Sequence, residues 1–77
     1  MDLTAMVEGK LNQYAERIAE GGSRVDEHAL GELVFYMALR RALSGSATPQ
    51  DLGMLDAVND TLQELGLIDS GTTFYRD

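Results

Sequence analysis

Apolar residues along the chain fall into three blocks with helical spacing, and Gly- or Ser-containing breaks separate them. In the first block Leu3, Val7, Leu11, Tyr14 and Ile18 recur at intervals of four and three. At about 100° per residue they form one narrow stripe, which predicts a helix over residues 3–20. Lys10 and Arg17 flank one edge of the stripe, and Glu8 and Glu16 fall on the far side. Asp2 or Thr4 suits the N-cap. Gly21-Gly22 suits the end, because glycine accepts the left-handed conformation past a last turn.

The second block, "ELVFYMALRRAL", is apolar nearly all round. It predicts a helix over residues 25–43, opened by Ser23, Asp26 and Glu27 and closed by Ser44-Gly45-Ser46. Arg40 and Arg41 stand in its last turn, where the helix dipole favours positive charge. On a helical wheel Leu30, Leu33, Val34 and Met37 make one face. Phe35, Tyr36, Leu39 and Leu43 make a second, roughly opposite, with the small residues Gly31, Ala38 and Ala42 between. A helix with two apolar faces is a central helix. Either the first and third helices cover one face each, or a second copy covers one of them about a two-fold axis. The second arrangement makes Phe35, Tyr36 and Leu39 the centre of a homodimer interface, since aromatic anchors dominate such contacts. Leu43 extends that interface, and Arg40 and Arg41 at its edge pair with carboxylates of the other copy or of a partner.

The third block is the most clearly punctuated. Thr48 reads as N-cap, Pro49 as first helical residue, and Asp51 as the far member of a capping box. Met54, Leu55, Val58, Leu62 and Leu65 make its apolar face over residues 49–65. Gly66 suits a Schellman ending that folds Leu67 back on Leu62. Asp56, Asp60 and Glu64 line the opposite face at intervals of four. The tail, 67–77, has a turn at Asp69-Ser70-Gly71 and then Thr72-Thr73-Phe74-Tyr75, which favours extended structure. It either forms a short strand or lays Phe74 and Tyr75 back on the helices. The fold expected is all-α: one domain over residues 1–77, a small three-helix bundle with a short extended tail. The run from helix three through "LGLI" into an aromatic, β-prone piece resembles the exit from the recognition helix of winged-helix domains. That resemblance covers the last third of the chain and implies a transcription-linked domain. The basic residues such a helix needs for a DNA groove are absent.

Charge narrows the choice. Thirteen acids against six bases give a net charge of −7. Direct nucleic-acid binding is disfavoured, because Lys and Arg must replace counterions at phosphates. An anionic membrane surface is disfavoured for the same reason. A protein partner with a basic surface is compatible. No run reaches the roughly 20 apolar residues of a membrane span. The N-terminus lacks the pattern of a secretory signal, so a cytoplasmic location is expected. With no cysteine and His28 as the single histidine, disulfides, a zinc site or another cofactor are not expected. His28 beside Asp26 and Glu27 has the setting of a surface residue rather than of a general base.

The expected function is a non-enzymatic, acidic protein-interaction module. The nearest type is a small inhibitor or adaptor, of the kind carried by bacteria, their phages and other mobile elements. It docks on a larger protein, nucleic-acid-binding proteins included. Asp56, Asp60 and Glu64 rise about 6 Å per step, the same order as the spacing of phosphates along a strand. The alternative from another class is a structural homodimer subunit.

Overall fold

The computed structural model describes residues 2–21 and 26–76. Three helices, α1 (Leu3–Glu20), α2 (Glu27–Leu43) and α3 (Pro49–Glu64), are followed by a tail. α1 and α3 both pack on α2, while their own Cα atoms stay more than 8 Å apart. The arrangement is therefore an open bundle with α2 in the middle, 44 Å long and 25 × 23 Å across.

Each helix start is secured as the side chains at its border dictate. Asp2 caps α1 by accepting from the Ala5 amide, and Asp26 caps α2 by accepting from the Ala29 amide at 2.9 Å. Ser23, the other capping residue expected for α2, lies outside the described residues, as does Gly22. Gly21 is the C-cap of α1 but stays right-handed, so the left-handed ending expected there is not at Gly21. At α3, Thr48 and Asp51 form the full capping box. The Asp51 amide donates to Thr48 Oγ1 at 3.1 Å and the Thr48 amide to Asp51 Oδ2 at 3.0 Å. Gly45 and Gly66 adopt φ of 79° and 72°. Each closes a Schellman ending: Ser46 donates to the Arg41 carbonyl at 2.8 Å, and Leu67 to the Leu62 carbonyl at 2.9 Å. Only glycine takes that backbone without a steric penalty. Leu67 itself stays 67% exposed, so its fold-back is a backbone bond without burial.

The core sits where the three helices and the tail meet. Val7, Leu11, Leu39, Leu55 and Tyr75 are buried there, with Leu33, Phe35, Tyr36, Leu43, Met54 and Phe74 packed around them. Tyr14 is buried beside this cluster and stacks on Tyr36 with ring centroids 5.8 Å apart. Along the α3 stripe Leu55 is fully buried, Met54, Val58 and Leu62 are half-buried, and Leu65 at the C-cap is 66% exposed.

Thr72–Tyr75 do not form a strand. Among the described residues there is none, and the tail is a series of turns. The reason is on α3. Asn59 is buried and holds the tail backbone at two points, donating to the Thr72 carbonyl at 3.0 Å and accepting from the Phe74 amide at 2.8 Å. Gln63, one turn on, donates to the Ser70 and Thr72 carbonyls, both at 2.9 Å. These bonds give the Ser70 and Thr72 carbonyls and the Phe74 amide partners without a neighbouring strand.

One ion pair ties α2 to the start of α3. The Arg41 guanidinium donates to both oxygens of Asp51, at 2.6 and 2.8 Å. Together with the Thr48 amide this holds the Asp51 carboxyl well below the usual carboxylate range. The stabilisation is present above the unfolded value, near pH 4, and is lost as pH falls toward the lower folded value. The urea midpoint of the natural chain is therefore expected to exceed that of Asp51→Asn by a constant margin from pH 5 to 7. The margin should shrink below about pH 4.

Candidate partner-binding surfaces

α3 presents Asp56, Asp60 and Glu64 on its outer side, all exposed. The capping box at Thr48 and the Arg41–Asp51 pair fix where this helix starts and how it sits on α2. Among the described residues none of the three acids is in an ion pair. Asp56 has a second role: it accepts a hydrogen bond from the Tyr75 hydroxyl. That bond, with burial, pushes the Tyr75 phenol above its ordinary value. Asp56 thus stands at the border between ridge and tail, while Asp60 and Glu64 are free of such contacts.

Among the described residues the four arginines are engaged within the chain, while Lys10 is in no ion pair. Arg17 pairs with Asp26 at 3.1 Å, Arg40 with Glu8 at 2.8 Å and Arg41 with Asp51. Arg76 lies over the Tyr75 ring, 5.4 Å from its centroid. Arg40 and Arg41, expected to reach another copy or a partner, have their counter-ions within the chain. Glu8, expected on the far side of α1, faces α2 because Arg40 is there. Intramolecular pairing offsets part of these positive charges, although the arginine side chains stay 38–60% exposed, and none of the three ridge acids shares in it.

On α2 the two apolar faces have different fates. Leu39 is 2% exposed, and Phe35, Tyr36 and Leu43 pack around the core. The face expected at a dimer centre is thus covered by α1, α3 and the tail of the same chain. Its aromatic bulk explains the choice: Phe35 and Tyr36 meet edge-to-face at 5.2 Å, and Tyr36 stacks on Tyr14 of α1. Of the other face only Leu33 joins the core; Leu30, Val34 and Met37 are 43%, 53% and 43% exposed. This stripe borders a groove of about 300 Å³ lined by Val34, Ala38, Arg41, Gln50, Asp51 and Met54.

The chain matches no protein-family model, no curated protein and no solved structure. Its function is therefore argued from its own residues. His28 is an exposed side chain whose Nδ1 lies 2.7 Å from Glu32 Oε1, one turn along α2. Among the described residues no group of three or more His, Asp or Glu is placed to hold a metal ion. Among the described residues no helix is long and apolar enough to cross a membrane.

Sequence reasoning missed Asn59 and Gln63, which fasten the tail. A signal was present. Asn59 stands four after Leu55 and three before Leu62, a polar residue inside the apolar stripe of α3. A buried amide in such a place needs partners for both its ends. The only unassigned backbone downstream is the tail.

Proposed function

We propose that the chain is a non-enzymatic, cytoplasmic interaction module, an acidic adaptor or inhibitor that docks on a basic surface of a larger protein. Asp56, Asp60 and Glu64 of α3 make the contact. The observation that carries this reading is the division of charge. Among the described residues Arg17, Arg40 and Arg41 are each engaged with a carboxylate outside the α3 ridge, while none of the three ridge acids is in an ion pair. Arg76, over the ring of the Tyr75 that bonds Asp56, stands at the Asp56 end only. A row of unneutralised carboxylates on a capped helix is pre-positioned for lysines and arginines of a partner. Proteins that bind nucleic acid carry such basic surfaces, and a row spaced like phosphates competes for them. Asp56, held by the Tyr75 hydroxyl, needs little ordering on docking.

Ionic strength tests the reading. A partner captured on the immobilised chain from a nuclease-treated lysate of its source organism is titrated between about 50 and about 500 mM NaCl, which takes the Debye length from near 14 Å to near 4 Å. Docking through the ridge is expected to weaken at least about tenfold over that range, as fits screened pairs between exposed charges. An affinity that does not change with salt contradicts it.

A further inference from the structure

The exposed stripe of α2 carries a separate inference: we propose that Leu30, Val34 and Met37 form the seam of an antiparallel α2–α2 homodimer, with a two-fold axis passing beside Val34. This rests on different residues from the acidic ridge and does not depend on it. Three observations point to a second copy rather than to another occupant. The first is charge. Glu27 and Arg41 stand seven residues before and seven after Val34, about two helical turns to either side, and fall on the same side of α2 as the stripe. An antiparallel pairing about Val34 places Glu27 of each copy level with Arg41 of the other. A parallel pairing would instead set like charges against each other. Glu27 is exposed and, among the described residues, in no ion pair. Arg41 uses Nε and one Nη2 hydrogen on Asp51, which leaves the Nη1 hydrogens and the second Nη2 hydrogen for a partner.

The second observation is shape. The same rotation brings Val34 against Val34 and sets Leu30 beside Met37 of the other copy, twice. All three residues are among the exposed large hydrophobic side chains of the chain. The third is Gly31. A glycine inside a helix is unfavourable, and among the described residues a Cβ built at Gly31, as at the helical Gly9 and Gly53, meets no atom within 4 Å. Gly31 is exposed on the flank of the stripe, about two turns before the buried Ala38. Small residues at a helix seam admit the close approach of a second helix.

A single helix pair is at the low end of specific interface sizes, so dissociation constants on the order of 10–100 µM are expected. Sedimentation equilibrium of the full chain from about 5 to about 500 µM tests the proposal, with circular dichroism confirming the helices of each variant. The natural chain should pass from monomer to dimer across that range. Val34→Asp, at a position more than half exposed, should keep the same helical spectrum and stay monomeric. Glu27→Lys should weaken the dimer about tenfold or more by facing Arg41 with a like charge. A natural chain that is monomeric throughout would overturn the proposal. So would a Val34→Asp chain that dimerises as the natural one does, and an undiminished Glu27→Lys dimer would overturn the antiparallel register. Neutralising the α3 ridge should leave the dimer in place, so failure here is separable from failure of the docking reading.

Discussion

Leu39→Asp is expected to leave the chain without a cooperative thermal transition, whereas Leu39→Ala should still fold and lose about 2–5 kcal/mol. Leu39 is 2% exposed in the C-terminal half of α2, in one cluster with Val7 and Leu11 of α1, Leu55 of α3 and Tyr75 of the tail. Truncation removes its transfer free energy and opens a cavity that four segments would have to close together. A carboxylate there is worse, since an unpaired buried ion costs several kcal/mol even after relaxation. A domain of 77 residues has on the order of 4–12 kcal/mol to lose. Ellipticity at 222 nm against temperature would check it. A Leu39→Asp chain that melts cooperatively near the natural midpoint would show that Leu39 does not sit in the core of the folded chain. The contrast with Val34→Asp on the same helix is informative, because only the exposed position should tolerate the charge.

The second large effect is expected at Asn59. Asn59→Ala removes the acceptor of the Phe74 amide and one of the donors to the Thr72 carbonyl. Gln63 continues to serve Thr72, but the Phe74 amide is left without its partner. An unsatisfied buried donor costs about 1–3 kcal/mol. The tail can avoid that only by lifting away, which exposes Tyr75, now 3% exposed. Either route should lower the melting temperature by about 10 °C for a chain of this size. Hydrogen exchange identifies the route taken. Amides of residues 72–76 should exchange much faster in the variant, while those in the middle of α1 and α2 stay protected. Unchanged protection in the tail would mean that Asn59 does not hold it.

Helix existence and starts were legible because punctuation and period agreed. Thr48-Pro49 with Asp51 allows one reading of where α3 begins, and Gly45 and Gly66 mark where two helices stop. The choice of face on α2 was not legible. Where a helix is apolar nearly all round, its own period does not rank one side above the other. The ranking came from tertiary partners, with Tyr14 of α1 stacking on Tyr36 and so placing Phe35, Tyr36 and Leu39 inward. The same holds for Arg40 and Arg41. Their place in the last turn is a local preference, but Glu8 and Asp51 reach them only once the helices have packed. The tail's β-prone composition was overridden by two amides of α3, which offered its backbone the partners a neighbouring strand would have offered.

The most direct test of the docking account compares two immobilised chains, the natural one and Asp56→Asn/Asp60→Asn/Glu64→Gln, on the same nuclease-treated lysate. The substitutions remove charge and keep shape. An asparagine at position 56 still presents an oxygen to the Tyr75 hydroxyl, so the variant is expected to melt within a few degrees of the natural chain. The account predicts one stoichiometric protein on the natural chain that is lost from the neutral variant. Equal retention of that protein by both chains, or recovery of nothing but the chain itself, would contradict it.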